Sequence, residues 1–322
     1  MSTQVIRLVV VAGATFALAA STFFGSVDSA VSAQQGQPAG NLLKVLPVQG
    51  NIHMIVGAGS NIAASVGPQG VLLVDSGNAA SSERLIATIR GLSPTQPIQY
   101  VLNTQYGENH TGGNDALSKV GRRLVGGEMV IIGHEKVLSR MTAPTGSVSP
   151  RPVAAWPTDT FFAQRKEVYF NGEPVQMFFR PGPTDGDSIV FFRRSDVIVT
   201  GDIYNTVSFP VINVKAGGHI NGIIEGLNDI IDLTVPANNV EDGTLVIPGQ
   251  GRISDELDVA VYRDMITIIR DRVQDSIKRG QTLAQVKADK VLALEYEERY
   301  GRTPSWTTEM FLEAIYTNLT SK

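Results

Sequence analysis

One pattern runs through this chain twice: short apolar strands ending on an acidic residue, then alternating helical and strand-like segments. The first pass covers Leu42–Leu46, Asn51–Val56, Asn61–Val66 and Val71–Asp75, runs rich in Val and Ile with Gly-containing turns between them. Helical spacing follows over Ser81–Leu92, where Leu85, Ile86 and Ile89 share a side and Ser81 or Ser82 serves as cap. A buried strand at Ile98–Leu102, a helical turn or two at Ala116–Val120, a strand at Met129–Ile132 and a helix opening at Gly133-His134 complete it. The second pass has strands at Glu167–Phe170, Pro174–Phe179, Ser188–Arg193 and Asp196–Thr200, with Asn171-Gly172 as a hairpin turn. Helical stretches at Ile220–Leu233 and Ser254–Arg279 flank a last strand at Thr244–Ile247, and helices at Leu283–Val291 and Thr307–Leu319 end the chain. The repetition predicts two similar halves, each a sheet with helices on its outer face. That is an α/β (α+β) fold, a four-layer αβ/βα sandwich with its sites at the seam.

Composition narrows the chemistry. The 322 residues, 43% hydrophobic and 18% charged, suit a generous single domain, and a net charge of −4 gives no footprint for a nucleic-acid partner. The chain has no cysteine, which removes disulfides, thiolate catalysis and thiolate metal sites. Its four histidines are His53, His110, His134 and His219. His53 lies in a strand, His134 at a helix start, and His219 before a helix that it can cap. No Gly-x-Ser-x-Gly segment offers a serine nucleophile. Asp185, Asp187, Glu108 and Tyr106 could do acid–base work, although Asp185–Asp187 also reads as an ordinary turn into a strand.

Residues 1–33 read as a secretory signal, with Arg7 before an apolar core at Leu8–Phe24 and small residues at Val31-Ser32-Ala33. An uncleaved anchor is the alternative. Residues 34–41 then form a linker and 42–322 the folded domain with a helical extension at its end. Cleavage near Ala33 would make the protein periplasmic or secreted, with no stable membrane span left.

A polar loop follows the strand at Ile98–Leu102: Asn103-Thr104-Gln105-Tyr106-Gly107-Glu108-Asn109-His110-Thr111-Gly112-Gly113-Asn114. Loops at the carboxyl ends of strands are where α/β proteins place chemistry. Four further elements accompany it in order, Val74-Asp75-Ser76-Gly77, Pro181–Ser188, Thr200-Gly201-Asp202 and Ile247–Gly251. Together they resemble the metallo-β-lactamase (MBL) fold superfamily over about residues 45–275. The loop is similar to that family's N-T-H-x-H-x-D-H-x-G-G-N segment, Pro181–Ser188 to its A-H-T-D-G-D segment and Ile247–Gly251 to P-G-H-G.

The resemblance implies a dizinc hydrolase site, in which neutral imidazoles hold the ions and a bound water becomes the nucleophile. Position by position, Gln105, Gly107, Asn109, Pro183 and Gln250 stand where ligands would be, while His110 and Asp202 keep a strong ligand side chain. Asp75 falls where the family has an aspartate that organises the loop. These residues imply a degenerate metal site, with no cofactor expected beyond weak zinc binding on His110 and Asp202. A small neutral or polar ligand suits such a cleft, lined by Gln105, Asn109, Gln250, Tyr106 and Asp202. The competing reading is a working hydrolase of ester, lactone, thioester or β-lactam bonds that uses an unusual single-metal site.

Overall fold

A computed structural model describes residues 42–143, 151–236 and 243–321. The signal and linker segments therefore lie outside the described residues, as do residues 144–150 and 237–242.

Seven strands form the first sheet in chain order: β1 (Lys44–Pro47), β2 (Ile52–Ala58), β3 (Ser60–Gly67), β4 (Gly70–Val74), β5 (Ile98–Asn103), β6 (Val130–His134) and β7 (Asp159–Phe161). The first four make an antiparallel meander, and β4 to β7 run parallel. The second sheet has the order β12-β11-β10-β9-β8. Its strands are β8 (Arg165–Phe170), β9 (Glu173–Phe179), β10 (Ser188–Phe192), β11 (Val197–Val199) and β12 (Leu245–Ile247), with only β11 and β12 parallel. Asn171-Gly172 closes the β8–β9 hairpin with positive φ at both residues, 51° and 84°, as a primed turn requires.

Strand periodicity assigns each side chain to a layer. In β4, Leu72 and Val74 face the inter-sheet core while Val71 and Leu73 face the outer helices. In β10, Val190 and Phe192 point between the sheets while Ile189 and Phe191 point outward. Both of these strands are thus apolar on both faces, which is why their sequences lack polar alternation. The helices α1 (Ser82–Leu92), α2 (Glu108–Thr111), α3 (Asn114–Ser118) and α4 (Glu135–Thr142) belong to the first half. Leu85 and Ile89 of α1 and Leu117 of α3 cover the outer face of the first sheet. The second half carries α5 (Ile220–Leu233), α6 (Glu256–Lys278), α7 (Leu283–Ala288), α8 (Leu294–Tyr300) and α9 (Thr308–Thr320). Ile223, Leu227 and Ile230 of α5 pack with Tyr262, Ile266 and Ile269 of α6 and Phe311 and Ile315 of α9 on the second sheet. Burying one such side chain stabilises by about 1.5–3 kcal/mol, so the two outer layers hold the sheets in place by their summed area.

Helix boundaries correct several expectations. Ser81 makes no side-chain cap to α1; Asn78 accepts the Ser81 N–H one turn earlier, and the Ser81 hydroxyl accepts from Arg84 instead. The helix expected over 283–291 stops at Ala288, where Asp289 bonds the Val291 N–H and turns the chain into a 3-10 segment. The helix α8 was not foreseen. His219 caps α5 by accepting the Asn221 N–H at 3.1 Å, and His134 caps α4 by accepting the Lys136 N–H at 3.3 Å. Among the described residues no helix is long and apolar enough to cross a membrane.

Candidate functional site

The site lies where the parallel strands end. β4 delivers Asp75, β5 the polar loop, β11 Asp202 and β12 the Pro248–Gly251 turn. Asp75 adopts a left-handed φ of 66°, a conformation that costs a non-glycine residue about 1–3 kcal/mol and persists only where its surroundings hold it. Here the loop holds it. The Thr104 N–H donates to Asp75 Oδ1 at 2.8 Å and the Thr104 hydroxyl to Oδ2 at 2.7 Å.

His110, 2% exposed, stands between two carboxylates. Its Nδ1 is 2.7 Å from Asp75 Oδ2 and its Nε2 is 3.1 Å from Asp202 Oδ2. A neutral imidazole has one N–H and one lone pair, and a lone pair cannot face a carboxylate. Both nitrogens are thus placed to donate, an arrangement that favours the imidazolium form of His110. Burial alone would favour the neutral ring, but Asp202 and Asp75 outweigh it and hold His110 well above the ordinary imidazole range. Burial likewise opposes ionisation of Asp202, yet His110 and the hydrogen bonds to the carboxylate keep it below the usual carboxylate range. The Asp202 side chain keeps 31% exposure, against 2% for His110.

Gln105 closes the triad. Its amide nitrogen donates to Asp202 Oδ2, and its Oε1 accepts the Gly107 N–H at 3.1 Å. The two partners fix the orientation of the amide, since a carboxylate needs the donor end. Gly107 makes room for this fold-back; a Cβ there would meet Gln105 Oε1 at 2.9 Å.

The other positions read from the sequence are placed differently. Asn109 is exposed and its Oδ1 lies against Gly59 of the β2–β3 turn, where a Cβ would approach it to 2.8 Å. Pro183 is buried and contributes its carbonyl, which accepts the Asn213 N–H at 3.0 Å. The Gln250 side chain is exposed, and its backbone carbonyl accepts from Thr206. Asp75, His110, Asp202 and Gln105 thus meet directly, whereas Asn109, Pro183 and Gln250 line the surroundings. Among the described residues no three His, Asp or Glu side chains are arranged to hold a metal ion.

Several site residues went unnoticed in the sequence. Thr104 is one, and its place beside Asn103 in the loop was the available signal. Asn114 donates to Asn103 Oδ1 and to the Ala155 carbonyl, tying the loop to the segment after α4. The Tyr106 hydroxyl accepts from Asn213 at 3.2 Å, and Arg140 grips both oxygens of Asp185 at 3.2 and 2.9 Å. Asp187 takes the Thr184 N–H at 2.5 Å and hydroxyl at 2.6 Å, both on Oδ2, so the expected turn exists. Burial pushes Asp187 up to about 7 against those bonds, and the negative charge of Asp202 adds to the rise.

That rise fixes a pH dependence. The folded state binds a proton at Asp187 that the unfolded chain has released above about pH 4. Stability contributed there is full below about pH 4 and declines until about pH 7. Asp187→Asn should remove this decline. The variant is expected to gain on the parent by about 2 kcal/mol, and at most about 4, between pH 4 and pH 8. Urea midpoints at both pH values provide the check, and parallel pH profiles for the two proteins would refute it.

A separate pocket of about 320 Å³ opens at the opposite strand ends, around Gln49, Asn51, Asn171 and Glu173. Glu173 there is consumed by the Arg194 and Ser195 N–H groups and the Ser195 hydroxyl. It is a turn junction.

The profile of the metallo-beta-lactamase superfamily matches residues 48–293, and the chain belongs to that superfamily. No curated protein matches it significantly. Among solved structures it is similar to the stereoselective inverting sec-alkylsulfatase Pisa1 from Pseudomonas sp., with 13% identity and a TM-score of 0.63, covering 89% of this chain and 54% of that one. The chain therefore spans about half the length of that sulfatase. It is also similar to a metallo-beta-lactamase from Pontibacter korlensis, with 14% identity and a TM-score of 0.54, over 70% of this chain and 99% of that one. The DIM-1 metallo-beta-lactamase aligns at 15% identity and a TM-score of 0.53, over 70% and 97%. At such identities the likeness is one of fold.

Proposed function

We propose that this is an exported member of the superfamily whose metal site is degenerate, and that it acts by binding a small polar ligand or by metal-free chemistry. The observation that carries this reading is the set of side chains at the ligand positions, Gln105, Gly107, Asn109, Pro183 and Gln250 beside His110 and Asp202. A zinc ligand must present a lone pair, and here both ring nitrogens face carboxylate oxygens, at 2.7 and 3.1 Å. The remaining donor set fits zinc no better. Gln105 turns its amide nitrogen towards Asp202, Gly107 and Pro183 have no side-chain donor, and Asn109 and Gln250 are exposed amides. One imidazole and one carboxylate do not complete a tetrahedral site. The imidazolium instead supplies the positive charge that the buried carboxylates need.

Metal analysis of protein purified without chelator tests this. The expected result is zinc well below one equivalent, with no ordinary β-lactamase activity. About one equivalent of zinc, lost together with hydrolysis in His110→Ala, would replace this reading with the single-metal hydrolase. Export rests on residues 1–33 alone, and mass spectrometry of the native protein should find a chain starting near Gln34.

A further inference from the structure

We propose that the end of the sandwich opposite the polar loop docks on an anionic lipid bilayer, with Leu124 and Val125 entering the headgroup boundary and flanking arginines meeting the lipid phosphates. This surface shares no residue with the metal-ligand positions.

The apolar part is a hairpin between α3 and β6. Arg122 and Glu128 bridge its base, and the Gly126 N–H donates to the Arg123 carbonyl at 3.1 Å. Its tip carries Leu124 and Val125, 53% and 85% exposed. Gly126 and Gly127 turn the chain at φ 91° and 94°, and a Cβ on either would meet nothing within 4 Å. The tip therefore stands in open space. Two adjacent aliphatic side chains left in water gain by transfer to an apolar phase.

The rest of that end is tied to the tip. The Leu124 N–H donates to Gln99 Oε1 at 3.1 Å, and the Gln99 amide donates in turn to the Gln69 carbonyl. Gln69 and Asn171 exchange two hydrogen bonds, at 2.6 and 3.1 Å. The tip and the β3–β4 and β8–β9 turns thus form one surface. Tyr169, 66% exposed, stands beside the second of these turns, and tyrosine is a side chain that membrane interfaces favour.

Charge selects the partner. Arg90 and Arg122 line a pocket of about 200 Å³ with Ser93 at the foot of the hairpin. Arg123 lies over the Tyr100 ring at 5.7 Å, and Arg194 Nη1 is 3.4 Å from where a Cβ on Gly172 would stand. Arg193 is exposed in the same turn as Arg194. None of the five forms an ion pair with a described residue, whereas Arg140, Arg252 and Arg272 elsewhere hold carboxylates. The carboxylates at this end are Glu128, Glu173 and Asp196. Glu173 is buried and taken up by the Arg194 and Ser195 N–H groups and the Ser195 hydroxyl, and Asp196 accepts from Thr244. Five arginines thus face three carboxylates, two of them spent on internal hydrogen bonds, in a chain whose net charge is −4. Guanidinium groups match phosphate oxygens, and an anionic leaflet attracts basic segments at its surface. A bilayer receives the apolar tip and the arginines together, while a soluble polyanion would leave the tip in water. The polar loop, at the other ends of the same strands, then points away from the lipid.

Flotation of the mature chain with extruded vesicles tests this, using phosphatidylglycerol-rich and pure phosphatidylcholine membranes. The anionic vesicles should bind at least tenfold tighter than the neutral ones, and less tightly as salt rises. Leu124→Ser/Val125→Ser and Arg122→Glu/Arg194→Glu change exposed side chains, and each pair should lower the affinity about tenfold or more while the urea midpoint stays in place. Orientation has its own readout, because the chain has no cysteine to interfere. A polarity-sensitive dye on Val125→Cys should shift to the blue on anionic vesicles, and the same dye on Gln250→Cys should not. Absent or equal binding to the two membranes overturns the proposal, as does a response at Gln250→Cys in place of Val125→Cys. Binding that survives Leu124→Ser/Val125→Ser, or that dextran sulfate matches, would make this end a general polyanion surface and overturn the lipid assignment.

Discussion

Replacing His110 by alanine is expected to cost the fold about 3–5 kcal/mol, the range for removing one partner of a buried ion pair. The reason lies in what remains. Asp75 is 1% exposed and keeps only the Thr104 donors, while Asp202 keeps Gln105. The two carboxylates would then share a cavity without their counter-ion. The left-handed backbone at Asp75, with φ 66°, would lose part of what holds it. For a domain of this size each kcal/mol shifts the melting temperature by about 2–4 °C, so a fall of roughly 10 °C is expected. The double variant His110→Ala/Asp202→Asn separates charge from packing. Removing the second charge should restore a sizeable part of the loss, a coupling readable in a double-mutant cycle. If urea titration shows that His110→Ala lowers the unfolding free energy by less than about 1 kcal/mol, His110 is not the internal counter-ion described here.

The layers of the molecule were legible because each depends on a local rule. The two-residue strand period and the stripe Tyr262, Met265, Ile266, Ile269, Val273 and Ile277 on α6 are visible without coordinates, and the structure buries all of that stripe except Ile277, which is half-buried. Where several groups compete for one partner, local rules failed. Ser81 was a reasonable cap, but its hydroxyl accepts from the Arg84 side chain, and Asn78 makes the side-chain cap one 3-10 turn earlier. The loop Leu294–Tyr300 became a helix through tertiary packing, with Tyr300 buried against Phe209 and Tyr262. Nothing in its own spacing signals that.

The site was legible in its positions and not in its charges. Asp75, His110 and Asp202 could be named from the ordered elements. Their meeting at 2.7 and 3.1 Å depends on a contact between the two halves of the sandwich, which no sequence spacing encodes. Gln105 illustrates the difference. In the sequence it is a lost ligand; in the fold it is a donor to Asp202 that needs Gly107 for its room. The two substitutions belong together physically, and the expectation of Gln250 and Asn109 as comparable cleft-lining groups did not account for their exposure.

Restoring histidine at 105, 107, 183 and 250, with aspartate at 109, should return zinc to the site in about stoichiometric amount. The backbone frame favours it. Gln105→His removes the side chain that a Cβ at Gly107 would strike, and Pro183→His keeps the carbonyl that accepts from Asn213. Asn109→Asp would have to swing away from Gly59, and the exposed Gln250 position has space to turn inward. His110 must give up its Nε2 proton to bind the ion. Because Asp202 and Asp75 hold that proton tightly, zinc uptake should release a proton and strengthen as pH rises. At free zinc 100-fold above the dissociation constant, the gain in stability is about 2.7 kcal/mol. The parent chain should show no such gain under the same conditions, and neither should the single variant Gln105→His, which leaves at most three strong donors. A folded five-fold variant that takes up no zinc would mean that the loop backbone has moved beyond the metal frame. In that case the lost histidines would be only part of what the site has changed.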